Sequence, residues 1–566
     1  MSSSPIDRAT KHWIRVLGPE FVVVDGQQLD HAATATFATD VHIPVILKPG
    51  SRQQVQQCMR IAQVEGVPVY PVSSGKNWGY GSRVPASDGC ALLDLGRLNR
   101  ILDFSEDLAY VTIEPGVTQR QLFEFLAEKK SRLWMDATGA SPECSLVGNT
   151  MERGFGHTPY GDHFANVCGL EVVLPTGESL ETGFARFPKA KTASLYRWGL
   201  GPNIDGLFSQ SNLGIVTRMT LWLMPAPEYF QAFFFTCEDK DSLARVVDAL
   251  RPLRLNGTIR SSIHIGNDYK VLSGLRQYPW EQTAGVTPLP DECMTQLRKE
   301  LHVGYWSGSG GLYGSPAQVK EARRLVRKAL RGKVSRLQFM DDRLLSYATR
   351  FAGLYRRFTG WDLSRALELL KPVYGLMKGI PTDKPVASAY WRKRNAPPQN
   401  MDPDRDRCGL LWCSPVLPFD GEHAESLTGM ISRIMLSCGF EPQISLTLVT
   451  DRAIACVISL SYDRDVEGED ERAMACHREL LQFLAESGYP CYRLGIQSMN
   501  QMDGQTGYHR LLRSLRKALD PAGVLSPGRY QHLSATNPHG PAEPAEAFAI
   551  EAIDAAQAQV ISRPRA

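Results

Sequence analysis

The chain has 566 residues, 43% of them hydrophobic and 22% charged, which is too long for a single core and too apolar for a disordered polypeptide. Sixty-three basic and sixty acidic side chains leave a net charge of +3, and no five-residue run of one sign occurs, which argues against a phosphate-tracking surface and a nucleic-acid partner. No apolar stretch reaches about 18 residues, and the opening MSSSPIDRATKHWIRVLG has no apolar signal core, so neither a membrane span nor secretion is expected and a cytoplasmic location is.

From His42 to Leu47, HIPVIL reads as a buried strand, and SRQQVQQCMRIAQVEG follows with Val55, Cys58, Met59 and Ala62 at the spacing of one helix face. Ser51 caps the start of that helix and Gly66 its end. VPVYPV then returns as a strand, so residues 42–72 form a β-α-β unit. The next loop, SSGKNWGYGS from Ser73 to Ser82, is rich in small residues whose backbone N–H groups can converge on an anion. CALLDL and AYVTIEPG read as strands, and Thr118 with Gln121 predicts a capping box opening the helix QRQLFEFLAEK. A glycine-dense stretch, VGNTMERGFGHTPYGDH from Val147 to His163, precedes a hairpin turning at Thr176-Gly177. LGIVT and TLWLM read as two strands, and Pro225 and Pro227 mark the exit from this region.

After about residue 228, strands such as QAFFFTC alternate with longer amphipathic helices. In PAQVKEARRLVRKALRG, Val319, Ala322, Val326, Ala329 and Leu330 share a face. The polar stretch RKRNAPPQNMDPDRDRCG, Arg392 to Gly409, is expected to be an exposed loop beside the strand GLLWCSPV. Beyond about Leu533 the composition predicts a frayed tail or a surface helix. Twelve cysteines lack the two-residue spacing of metal, redox or haem sites, and twelve histidines lack i, i+4 pairing, so buried thiols and no metal are expected.

Two small-residue loops in one α+β domain, each after a strand, suit a ligand anionic in its middle and long at both ends. No G-x-G-x-x-G fingerprint opens a helix, which disfavours a nicotinamide-type Rossmann domain. The strings PVSSGKNWGYGS, DLGRLNRIL, IEPGVTQRQL, VGNTMERGFGHTPYGDH, GLEVVLPTGE, DGLFSQSNLGIVT and LSPGR closely resemble the vanillyl-alcohol oxidase and p-cresol methylhydroxylase family of flavoproteins. The resemblance runs from about residue 40 to 535 and is looser in the middle, where RPLRLNGTI and YWR anchor it.

It implies an α+β fold of two domains, in which a PCMH-type FAD domain carries an inserted α+β substrate cap. Residues 1–227 form the first part of the FAD domain, with its core at about 36–226. The cap spans 228–485, residues 486–535 return to the FAD domain, and 536–566 form a tail. The resemblance places Ser73, Ser74, Gly75, Lys76 and Asn77 at the FAD pyrophosphate and Gly148, Asn149, Gly156, Gly161 and Ile215 at further FAD contacts. It puts Glu152 near flavin N5, where a desolvated carboxyl of raised pKa would help move protons. Tyr80, Tyr492, Arg493 and Arg529 match residues that surround a phenolic oxygen, whose anion pushes electrons toward a departing benzylic hydride.

The chain also departs from that family. Leu410 occupies the position of a flavin-linking histidine and Ala389 that of a flavin-linking tyrosine, with Tyr390 one residue later, so non-covalent FAD is expected and a tyrosyl link at Tyr390 is the alternative. Acidic residues and a histidine of the cap are replaced by Pro385, Ser445 and Ala455, and a loop tyrosine by His157. The expected function is FAD-dependent removal of a hydride from a benzylic or carbinol carbon of a small, para-substituted phenolic substrate, resembling 4-cresol dehydrogenase or vanillyl-alcohol oxidase. Electrons then pass to oxygen or to a separate cytochrome or other acceptor, and the protein is expected to be a homo-oligomer. The alternatives are oxidation of a non-phenolic alcohol or amine in specialised metabolism, and a flavin-binding subunit without turnover.

Overall fold

The computed structural model describes residues 4–359, 363–502 and 506–531. The helix Pro5–Leu17 is opened by Ser4, which shares a reciprocal capping box with Asp7, and it packs on the helix Arg52–Glu65 through Trp13, whose Nε1 donates to the Cys58 carbonyl at 3.2 Å. Ser51 caps that second helix and Gly66 ends it in the left-handed region at φ +65°, where a side chain would be strained. Ile46–Leu47 and Val69–Val72 both run parallel to Ala91–Asp94, which lies between them, so the β-α-β unit forms with a third strand inserted in its middle. Its first strand is shorter than HIPVIL suggests, because Pro44 has no N–H to give a ladder.

An antiparallel five-stranded sheet follows in the order Ile101–Ser105, Tyr110–Ile113, Ile215–Trp222, Val167–Val173, Ser179–Glu181. The hairpin turns at Gly177 (φ +81°), whose N–H donates to the Leu174 carbonyl at 2.8 Å. LGIVT and TLWLM meet in one continuous strand, Ile215–Trp222, and Met224 opens a separate short strand, Met224–Pro225. At Thr118 only half of the capping box forms: its hydroxyl accepts the Gln121 N–H, but the Gln121 side chain donates to the Asn99 carbonyl instead.

Residues 229–463 supply an antiparallel sheet of eight strands. Its order is Arg336–Met340, Tyr229–Cys237, Trp306–Gly314, His264–Asn267, Gln443–Thr447, Ala453–Asp463, Cys408–Cys413, with Val416–Pro418 also paired to Ala453–Asp463. Gly308 and Gly310 face the rings of Phe235 and Phe233, which fill the space a Cβ would need. The helix Pro316–Leu330 turns Val319, Val326 and Leu330 into this core.

The stretch 392–409 is exposed over most of residues 394–400, as its polarity predicts, but its two ends are not. Arg392 is 2% exposed and its Nε donates to Glu441 at 2.7 Å, while Lys393 bridges Asp463 and Asp465 and Asp404 is buried. The charges that do go inside each find a partner on a distant segment, while Arg394, Arg405 and Arg407 stay exposed. The C-terminal segment returns to the first sheet: Val69 donates to the Val524 carbonyl and accepts from Ser526 N–H, both at 2.8 Å, and Val524 and Leu525 join its core. The expected tail, 536–566, lies outside the described residues. Nine of the twelve cysteines are buried thiols, and no helix among the described residues is long and apolar enough to cross a membrane.

Candidate active site

A cavity of about 490 Å³ runs between the two glycine-rich loops, the C-terminal segment and the eight-stranded sheet. Ser73, Ser74, Gly75, Lys76, Asn77, Tyr80, Gly148, Asn149, Glu152, Ile215, Tyr492, Arg493 and Arg529 line it, so segments far apart in sequence meet there. Gly156, Gly161 and Tyr390 do not. The two glycines close their own loop, with the Gly156 N–H donating to the Gly161 carbonyl at 2.9 Å, and a Cβ on Gly156 would overlap the Asp136 carboxylate. The Tyr390 hydroxyl donates to Asp406 at 2.6 Å, whereas its neighbour Ala389 borders the cavity.

The loop Ser73–Gly75 borders this cavity and also a second one of about 330 Å³ lined by Gln28, His31, Lys48 and Arg83. Two chambers meeting at one amide-rich turn fit a dinucleotide with its diphosphate at the waist. Gly75 sits at φ +67°, and Ser74 Oγ accepts the Ser145 N–H at 3.0 Å, pinning the loop to the start of the helix Leu146–Met151.

Glu152 ends that helix and is the hub of the polar cluster. Its two oxygens accept from Arg529 Nη2 and the Tyr530 hydroxyl, both at 2.8 Å, and Arg493 Nε lies 3.5 Å away. Burial alone would push its carboxyl up, as the sequence reading expects, but the charges of Arg529 and Arg493 overcome burial and hold it below the usual carboxylate range. Glu152 is therefore an ionised anchor and not a proton reservoir of raised pKa.

The guanidinium of Arg493 stands 4.4 Å from the centre of the Tyr80 ring and also donates to the Asn77 side chain. The Tyr80 hydroxyl shares a 2.5 Å hydrogen bond with Ser414 Oγ, and burial pushes the phenols of Tyr80 and Tyr492 above their ordinary pKa, so both keep their protons at neutral pH. Trp412 packs edge-on against Tyr80 at 5.5 Å.

The opposite wall comes from the eight-stranded sheet and its helices. Pro385 and Ser445 line it, but Ala455 does not. It carries titratable groups that sequence reasoning missed, namely His264 and Lys270, besides His157 from the second loop. The rings of His157 and His264 lie 4.1 Å apart at a tilt of 30°, and burial lowers both pKa values, that of His264 to about 4, so both are neutral at pH 7. Asp136 braces this loop: it accepts the backbone N–H groups of His157 and Thr158 and pairs with His163 Nε2 at 2.6 Å.

Residues 43–183 match the FAD binding domain family model. The chain is 47% identical to the 1'-carboxy-chondrochloren decarboxylase of Chondromyces crocatus over 94% of this chain and 98% of that one. It is 29% identical to the 4-cresol dehydrogenase (hydroxylating) flavoprotein subunit of Pseudomonas putida, over 94% of this chain and 96% of that one. The solved 4-ethylphenol oxidase of Gulosibacter chungangensis superposes with a TM-score of 0.84 at 29% identity, covering 94% of this chain and 98% of that one. The chain belongs to the p-cresol methylhydroxylase-type family of FAD flavoproteins. Its cofactor is FAD, and its α+β fold is that of the family's two-domain flavoproteins. As a family member, it is an FAD-dependent oxidoreductase.

Proposed function

We propose that the protein oxidises a small para-substituted phenol at its benzylic carbon. The observation that supports this reading is the convergence of Tyr80, Tyr492 and Arg493 in the cavity, two protonated hydroxyl donors and a permanent cation suited to a phenolate oxygen. FAD, when bound, supplies a two-electron acceptor. The chain's own task is to bind the phenol, take up the charge left when its proton departs, and keep that charge where it pushes electrons toward the benzylic carbon. Arg493 provides the charge, and Glu152 and Asn77 hold Arg493 in place. Arg529, fixed by Glu152 and the Leu494 carbonyl, contributes a second buried cation to the same wall.

The cofactor is proposed to be held without a covalent bond: Leu410 and Ala389 border the cavity and carry no nucleophile, and the Tyr390 hydroxyl is engaged by Asp406. Electrons then leave to oxygen or to a separate acceptor protein, the latter reading supported by the relative named as a flavoprotein subunit. A second reading, in which the same oxidation is accompanied by loss of a carboxyl group, is favoured by the 47% identity to a decarboxylase.

The test is anaerobic mixing of the FAD-loaded protein with 4-ethylphenol and with its methyl ether, followed at the flavin absorbance. Bleaching by the phenol and not by the ether supports the reading. Bleaching by both alike, or by neither across a panel of 4-substituted phenols, overturns it. Acid precipitation separates the cofactor modes: a yellow supernatant is expected, and a yellow pellet contradicts the non-covalent proposal.

A further inference from the structure

Cations outnumber acids among the groups that line the cavity. On the wall proposed for the phenol, Arg493 and Arg529 share the single carboxylate of Glu152. On the opposite wall, Lys270 lines the cavity from the first turn of the helix Asp268–Leu275 and has no ion-pair or hydrogen-bond partner for its Nζ among the described residues. The one acid among the described residues that line the cavity, Glu152, is engaged by Arg529 and Arg493, and Asp268, two residues before Lys270, is paired with Arg298 at 2.8 Å. Burial alone acts on the Lys270 ammonium, lowering its pKa to about 8, which still leaves it mostly protonated at pH 7. Lys270 packs by its stem on Gly266, whose strand and its neighbours bring the uncharged His264, Ser445, Thr447 and Val457 to the same lining, with His157 beside His264. The His157 Nδ1 is itself buried without a partner.

Lys270 is part-buried, and an ammonium held at a cavity wall without a counter-charge contributes less to folding than a methionine or leucine of similar size would. The arrangement is accounted for when the missing counter-charge arrives with the ligand. Resting on the phenol reading above, we infer that the substrate is a bifunctional 4-hydroxyphenyl alkanoate, its phenol at Tyr80, Tyr492 and Arg493 and its carboxylate at Lys270. The two anchors would fix the para side chain across the cavity, so that Lys270 sets substrate class without taking part in proton transfer. An acid whose carboxylate is gripped in this way is also the substrate a decarboxylating oxidation requires.

The experiment uses the FAD-loaded protein. Affinities for 3-(4-hydroxyphenyl)propanoate and for the neutral 4-propylphenol are read from the perturbation of the flavin spectrum, and their ratio is compared between the parent, Lys270→Met and Lys270→Arg. A charge-assisted hydrogen bond in a water-poor site predicts a preference for the acid of about tenfold or more, lost in Lys270→Met and kept in part by Lys270→Arg. An unchanged ratio in Lys270→Met, or a parent that binds acid and neutral phenol alike, overturns the inference. To separate it from the phenol reading, the same ratio is measured with 3-phenylpropanoate and propylbenzene, which lack the phenol. A Lys270-dependent preference for the acid here upholds the carboxylate site even where no phenol reduces the flavin, and its absence rules the site out. Equal FAD content and equal melting temperature of the variants guard against misfolding.

Discussion

Substituting Glu152→Gln tests the electrostatic logic of the site. The carboxylate receives two 2.8 Å hydrogen bonds, from Arg529 and Tyr530, and lies 3.5 Å from Arg493. Each charge-assisted bond is worth about 1.5–3 kcal/mol, and a glutamine keeps one acceptor oxygen while leaving two buried guanidinium groups without a counter-ion. The expected loss is therefore about 2–4 kcal/mol at pH 7, short of the full cost of stripping a buried ion pair. The pH dependence has a definite sign. Because the folded pKa of Glu152 is below its ordinary value of 4.5, its contribution is present above that value and lost as pH falls through the folded one. The parent should thus approach Glu152→Gln in stability on acidification, and the two should diverge again toward neutrality. The assay is thermal melting of the FAD-loaded proteins from pH 3.5 to 7.5, with FAD fluorescence and circular dichroism recorded together because unfolding of two domains need not be a single step. Equal melting curves at pH 7 would refute the reasoning, and so would a difference that grows as the pH falls.

Other expectations follow from single contacts. Glu441→Ala should cost about 3–5 kcal/mol in chemical denaturation, because it strands Arg392 inside the eight-stranded sheet's core and removes acceptors from Trp391 and the Leu289 N–H. Ser414→Ala leaves the buried Tyr80 hydroxyl without its partner and should destabilise by about 1–3 kcal/mol while slowing flavin reduction by phenols, checked by melting and by stopped-flow absorbance. Gly156→Ala forces the Asp136 carboxylate away from His163 and the His157 and Thr158 N–H groups, and should lower the melting temperature and raise the dissociation rate of bound substrate.

Local chemistry is what made much of the fold readable. Ser51, Gly66 and Gly177 do their work within a few residues of where they stand, so caps and turns could be placed from the chain alone. The residues proposed for the phenol side were picked out through motifs whose order and spacing are distinctive. What stayed hidden depends on partners remote in sequence. Arg392 and Lys393, at the start of an otherwise largely exposed stretch, look solvent-facing until Glu441 and Asp463 are brought to them. Glu152 looks like a desolvated acid of raised pKa until Arg493 and Arg529, more than three hundred residues later, stand beside it. His264 and Lys270 are single polar residues on an edge of a strand and a short helix, patterns that carry no local sign of a cavity. The insertion of Ala91–Asp94 between the two strands of the β-α-β unit is likewise a matter of topology that periodicity does not record.

The measurement closest to the core of the account is the rate of anaerobic flavin reduction by 4-ethylphenol carrying deuterium at the benzylic position. If Tyr80, Tyr492 and Arg493 hold the phenolate so that hydrogen leaves from that carbon, the deuterated phenol should reduce the flavin more slowly by a primary isotope effect. Identical rates for the two isotopologues, under conditions where reduction itself is observed, would contradict it.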